Sequence, residues 1–154
     1  MKIKVSVSEE RCDEVVHELT AAGIEVNDDA DLLLTERERY LRYIPARPAG
    51  RETDPSEREH IPVENIISIE AFGHSLDIRT TDGLFHLNDR LYRLGTLLDP
   101  NCFFRISNST IINRKHIKKI NPAFSMKFTL TMSDGSRADV TRSYYNPFKQ
   151  FLGI

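Results

Sequence analysis

Two Asp-Gly pairs constrain the fold of this chain more than any other feature. Asp82-Gly83 and Asp134-Gly135 each stand beside runs of alternating apolar and polar residues. Such a pair favours the tight turn of a β-hairpin, because aspartate and glycine tolerate the left-handed backbone the turn needs. Leu76–Thr80 leads into the first pair and Leu84–Leu87 leaves it. Before the second, Met126, Phe128, Leu130 and Met132 fall on one side and Lys127, Thr129 and Thr131 on the other. Arg137–Thr141 then returns. A period of two is that of a half-buried strand, so the Met126-to-Met132 stripe reads as core.

Further short strands are predicted at Ile66–Ala71, Phe103–Ile106, Thr110–Asn113 and Ile117–Ile120. One helix interrupts them: in Asp89–Leu98, Leu91, Leu94, Leu97 and Leu98 recur at helical spacing, and Pro100 stands just beyond. Pro147–Leu152 reads as a short closing helix. Neither a βαβ alternation nor a Gly-rich phosphate loop occurs, which excludes the nucleotide-binding α/β folds. Residues 61–154 are therefore expected to form a mainly β domain with one or two short helices.

The front of the chain differs. Lys2–Ser8 alternates as a strand, and Glu9–Ala22 reads as a helix with Ser8 at its N-cap and Gly23 as its stop. Ile24–Val26 and Leu32–Thr35 look like short strands around the acidic turn Asn27–Asp31. Residues 1–44 thus form a small α/β segment, too short to bury a large core alone. It is expected to lean on the second domain or on another copy. Residues 45–60 contain Pro45, Pro48, Pro55 and Gly50 but no large apolar side chain, the composition of a linker.

A hydrophobic fraction of 40 % beside 29 % charged residues argues against disorder throughout. The net charge of -2 hides a split. Residues 1–60 carry nine Lys and Arg against fifteen Asp and Glu, while residues 61–154 carry twelve against eight. From Asn101 to Ser133 there is no acid at all, yet Arg105, Arg114, Lys115, Lys118, Lys119 and Lys127 lie there with His116. Such a stretch attracts polyanions, although a solvated positive face has the same composition. Cys12 and Cys102 show no ligand spacing, so no metal is expected, and two lone thiols suit a reducing cytoplasm. The start MKIKVSVSEE has no apolar core of signal-peptide length, and no apolar run approaches a bilayer span. A cytoplasmic protein without membrane insertion is expected.

Catalytic signatures are missing. There is no GxSxG, HExxH or Walker motif, the acids of the second domain stand singly, and His74, His86 and His116 are far apart in sequence. No enzyme, catalytic residue or cofactor is expected. The basic stretch carries different chemistry. Phe103 to Ile117 mixes apolar anchors with Ser107, Asn108, Ser109 and Thr110 in one run and with Arg105, Arg114 and Lys115 at its edges. Hydroxyls and cations hold phosphate oxygens, and an Asn amide can pair bidentately with adenine. An Asx or Ser/Thr turn, in which Asn108 bonds only backbone, accounts for the same residues.

Three features stand in order: Ile66 to Ala71 before a turn with Gly73-His74; Phe103-Phe104-Arg105-Ile106-Ser107-Asn108-Ser109-Thr110-Ile111-Ile112-Asn113; and Asp134-Gly135 followed by Val140-Thr141-Arg142-Ser143-Tyr144. Together they resemble the LytTR family of DNA-binding domains over about Ile61 to Ile154. The short front piece resembles the extension of stand-alone members and is too short for a receiver domain. The resemblance implies an elongated β fold of three packed sheets, with loops in successive major grooves of duplex DNA. It implies base contacts from His74, Asn108 and Arg142. Phosphate contacts are expected from Arg90, Arg105, Ser107, Ser109, Arg114 and Lys115, while Asn113, closing an apolar strand, is read as structural.

The expected function is a bacterial-type transcriptional regulator, a homodimer on paired promoter repeats, open to a regulatory protein partner. Two alternatives stand beside it. One is a single-strand or RNA-binding β-barrel stacking bases on Phe103, Phe104, Phe124 or Phe128. The other is a protein-interaction module docking an acidic partner.

Overall fold

The computed structural model describes residues 1–35, 40–50, 54 and 56–154. The chain divides into two compact units, Met1–Arg39 and Tyr40–Ile154.

In the first unit, β1 (Lys2–Ser6) is flanked by β2 (Glu25–Val26) and β3 (Leu32–Thr35), both parallel to it. Helix α1 (Glu9–Ala21) makes the crossover and packs on β1 and β2. None of the unit's described residues is buried. Leu32 and Leu33, on the edge strand β3, are 54 % and 60 % exposed.

The second unit is built from antiparallel pairs. Its strands are β4 (Tyr43–Pro48), β5 (Glu59–Pro62), β6 (Ile66–Phe72), β7 (Ser75–Thr80), β8 (Gly83–Leu87), β9 (Phe103–Arg105), β10 (Thr110–Asn113), β11 (Ile117–Ala123), β12 (Lys127–Met132) and β13 (Arg137–Val140). A seven-stranded sheet runs β5-β4-β8-β7-β6-β10-β9, and a three-stranded sheet runs β11-β12-β13. Helices α2 (Leu91–Leu97) and α3 (Tyr145–Leu152) complete it. The large sheet changes partner along β4, which pairs with β5 through Tyr43–Ala46 and with β8 through Arg47 and Pro48.

The stretch 45–60, read as a linker, carries strand at both ends. Ile44, Ala46 and Pro48 alternate inward and are buried, and the unit boundary falls earlier, between Arg39 and Tyr40. Small and cyclic side chains fill that row, so composition alone sees a linker. Residues 51–53 and 55 of the stretch lie outside the described residues.

The large sheet has a core on each face. One holds Ile69, Leu76, Ile78 and Phe85 against Leu91 and Leu94 of α2. The other holds Ile67, Ile106 and Ile112 against Phe128, Leu130, Met132 and Val140 of the small sheet and Phe148 of α3. A register shift between Ile66 and Ser68 reverses the alternation, so Ile66 and Ile69 share one core while Ile67 enters the other. Met126 departs from the expected stripe. It is 45 % exposed and sits with Ser125 in a left-handed turn, at φ 56° and 63°, before β12 begins.

The two sheets are tied by polar contacts. His116 has Nε2 2.8 Å from the Glu64 carbonyl and Nδ1 2.9 Å from Ser133 Oγ. A carbonyl only accepts, so Nε2 is the donor. Arg79 pairs with Asp134 at 3.7 Å across the sheets. Partial burial raises the Asp134 pKa, but hydrogen bonds from Ser136 and the Arg79 charge outweigh it, and the net displacement is downward.

Candidate nucleic-acid interface

Three loops meet at one end of the second unit. The β6–β7 turn carries His74, exposed, beside Gly73 at φ 61°. The adjacent pair Phe72 and Ser75 closes the hairpin, and Ala71 donates its N–H to the Ser109 carbonyl at 2.8 Å. This ties the His74 turn to the loop between β9 and β10. On the other side, Thr141 donates its N–H to the Ile106 carbonyl at 2.9 Å, and the turn Arg142–Tyr144 follows. The Tyr144 hydroxyl stands 3.5 Å from Asn108 Oδ1. His74, Asn108 and Arg142 therefore sit on backbone segments that bond directly to a shared loop, although 68 positions separate the first from the last.

The shared loop is shaped from within. Ser107 Oγ accepts from the Ser109 N–H at 3.2 Å, a hydroxyl turn that leaves Asn108 exposed at the tip. Arg105 lies half-buried on β9. Its Nε donates to the Ser107 carbonyl at 3.0 Å, and Nη2 donates to the Asn108 carbonyl. Two of its N–H groups thus hold the loop's own backbone. Among the described residues the Asn108 amide bonds no backbone group; the loop is held instead through its main chain.

The cations separate into two kinds. Arg114 donates from Nη1 to the Phe151 carbonyl at 3.1 Å, and its guanidinium lies 5.3 Å from the Phe151 ring centre. It caps the C-terminal end of α3, where unpaired carbonyls favour a cation. Arg142 and Lys115 are exposed, and among the described residues no carboxylate pairs with either. Lys115 extends from a short turn whose backbone N–H bonds Asn113 Oδ1 at 3.0 Å. Arg90 is exposed at the N-cap of α2, beside the Asp89–Arg93 pair at 2.6 Å.

Asn113 is structural. It is 1 % exposed, and its Nδ2 donates to the Ile66 carbonyl at 2.9 Å. Sequence reasoning gave no role to Tyr144 or Thr141, which join the Arg142 turn to the Asn108 loop. Both lie in the quoted run Val140 to Tyr144, and that adjacency was the available signal. Of the aromatic candidates for base stacking, Phe103 and Phe128 are buried and Phe104 packs on Phe151 with ring centres 4.8 Å apart. Phe124 is 97 % exposed.

The family profile of the LytTr DNA-binding domain matches residues 56–153. The chain belongs to the LytTR family. Among relatives, the transcriptional regulatory protein LytR of Staphylococcus aureus strain N315 is 33 % identical over 91 residues, covering 59 % of this chain and 37 % of that protein. The sensory transduction protein LytT of Bacillus subtilis is 33 % identical over 82 residues, covering 53 % and 34 %. The match thus spans little more than a third of these relatives. A solved LytTr DNA-binding domain from Bacillus cereus superposes with a TM-score of 0.66 at 24 % identity, covering 74 % of this chain and 99 % of that one. That likeness agrees with the mainly β LytTR fold. Among the described residues no helix is long and apolar enough to cross a membrane.

Proposed function

We propose that this chain is a sequence-specific duplex-DNA-binding transcriptional regulator that acts in the cytoplasm on promoter repeats. One observation carries the reading. Asn108 and Arg142 are exposed and unpaired by carboxylates, on loops joined by the Thr141–Ile106 and Tyr144–Asn108 contacts. The Asn108 loop lies in the acid-free stretch from Asn101 to Ser133. Arg142 pairs bidentately with guanine O6 and N7, and Asn108 pairs with adenine or bridges through water. His74 donates to a base edge or a phosphate. Lys115, Ser107, Ser109 and Arg90 hold phosphates. Arg105 and Arg114 reach phosphate only with the N–H groups their backbone contacts leave over. Phe103 and Phe128 are buried and Phe104 packs on Phe151, so Phe124 alone of the four aromatic candidates is bared, whereas a single strand stacks successive bases on several platforms, which favours duplex.

The regulator works as a homodimer on paired half-sites and is open to a regulatory protein partner. The first unit supports a second copy: none of its described residues is buried, and its edge strand exposes leucines.

Selection from a random duplex library, followed by a salt titration on the winner, tests the reading. Five or six phosphate contacts give a log-log slope of about -5. Arg142→Ala is expected to cost about 1–3 kcal/mol and relax selectivity at one base pair. If Arg142→Ala leaves selectivity untouched, the readout is assigned wrongly.

A further inference from the structure

The β11–β12 hairpin projects from the body of the second unit. Asn121, Pro122, Ala123, Phe124, Ser125, Met126 and Lys127 are exposed in unbroken succession. At its tip Phe124 is 97 % exposed and Met126 45 % exposed. A phenylalanine bared to this extent loses most of the transfer free energy that places aromatic residues inside a fold. Ser125 and Met126 both take left-handed backbone conformations, at φ 63° and 56°, which side chains other than glycine rarely adopt. Left-handed residues in succession are the backbone a tight hairpin turn needs, and here they present the side chains of the tip.

Register places the tip. Pro122 faces Phe128, and Phe128 faces Val140 on β13. β12 leaves the tip at Lys127 while β13 arrives level with it at Val140, so the chain enters Thr141 and Arg142 at the tip's end of the small sheet. Thr141 in turn bonds Ile106, at the start of the Asn108 loop. Phe124 therefore shares an end of the domain with Asn108 and Arg142. Lys127 closes the same hairpin, and Lys118 and Lys119 lie on its outer strand with no acid between Asn101 and Ser133.

We propose that this hairpin is an additional duplex-DNA contact in which Phe124, backed by Met126, wedges against a base step while Lys127 holds a flanking phosphate. Apolar side chains that enter base steps unstack them partly and open the duplex to further protein contact. The inference rests on the duplex-binding reading above. A basic hairpin with an apolar tip also suits an anionic lipid surface. Duplex DNA is favoured because the tip lies level with the loops that carry Asn108 and Arg142.

The test uses the full chain and a selected duplex carrying 2-aminopurine at successive positions outside the base pairs that Arg142→Ala affects. Binding is expected to raise the fluorescence at one step, reporting unstacking. Phe124→Ser is expected to abolish that rise and weaken affinity about tenfold, while selectivity at the Arg142 base pair stays as in the parent. Phe124→Trp, which keeps an aromatic wedge, is expected to retain both signals. Phe124→Ser with parental affinity and a parental fluorescence rise overturns the wedge and leaves duplex reading intact. Absence of any duplex binding by the parent overturns both. Equal binding by Phe124→Ser and parent to duplex, with Phe124-dependent binding to phosphatidylglycerol vesicles, assigns the tip to lipid and overturns the proposal.

Discussion

Arg105 separates two accounts of the Asn108 loop. As a phosphate ligand it supplies charge; as a clamp it supplies two hydrogen bonds, from Nε to the Ser107 carbonyl at 3.0 Å and from Nη2 to the Asn108 carbonyl. Arg105→Lys keeps the charge and loses the planar fork, so it isolates the clamp. A hydrogen bond from a charged donor contributes about 1.5–3 kcal/mol when well buried. Arg105 is half-buried, so the pair together is discounted to about 1–2 kcal/mol. If that energy holds the loop in its binding geometry, losing it weakens specific affinity roughly five- to thirtyfold. Fluorescence anisotropy against the selected duplex and a scrambled one, at several salt concentrations, reads the effect. Arg105→Lys is expected to lose that factor on the selected duplex and little on the scrambled one, with an unchanged salt slope. The clamp argument fails if Arg105→Lys binds both duplexes as the parent does while Arg105→Gln flattens the slope by about 0.9.

Two other perturbations follow from the packing. Asn113→Ala removes a cap on the Lys115 N–H and leaves the buried Ile66 carbonyl without its 2.9 Å donor. Urea unfolding should show a loss of about 2–4 kcal/mol, summing a lost cap and an unsatisfied buried acceptor. Asp134 has a folded pKa below its ordinary value of 3.8, so its contribution is complete above that value and is lost as pH falls through the depressed one. Asp134→Asn should therefore lower the urea midpoint at pH 7 and flatten the further loss below pH 4; an equal acid loss in both proteins would remove Asp134 from the account.

Much of the second unit was legible because alternation and Asp-Gly turns are local signals. The β7–β8 and β12–β13 hairpins sit where those signals placed them. What was not legible depends on partners remote in sequence or on the backbone. The inward residues of β4 within the stretch 45–60 are only Ala46 and Pro48, and what makes it a strand is pairing with β5 through Tyr43–Ala46 and with β8, nearly forty residues downstream, through Arg47 and Pro48. The helix after Asp89 begins two residues later than its leucine spacing suggested, because Asp89 Oδ1 accepts the Arg90 N–H and keeps Arg90 extended. Arg105 and Arg114 read as free cations because their partners, the carbonyls of Ser107, Asn108 and Phe151, belong to no side chain. Asn113 could be read as structural because a polar residue closing an apolar strand needs buried partners.

The acidic front unit is open to a direct test, and the fold decides where to cut. A chain beginning near Arg58 would delete β4 and bare Ile61, which is 4 % exposed and faces Ile44. Removal of Met1–Arg39 instead follows the unit boundary. That segment carries five Lys and Arg against eleven Asp and Glu. If it damps non-specific binding by repulsion, the chain starting at Tyr40 should bind scrambled duplex several-fold more tightly at low salt. The gain should fade as the Debye length shrinks from about 30 Å at 0.01 M to 8 Å at 0.15 M. If β3 pairs with a second copy, sedimentation should show the full chain self-associating and the shortened one monomeric. An edge strand with Leu32 and Leu33 more than half exposed has unpaired backbone groups to offer, and a twofold arrangement satisfies both copies at once. The two roles respond to different variables, salt for repulsion and protein concentration for pairing. Unchanged affinity at every salt concentration together with unchanged mass would leave the front unit with neither.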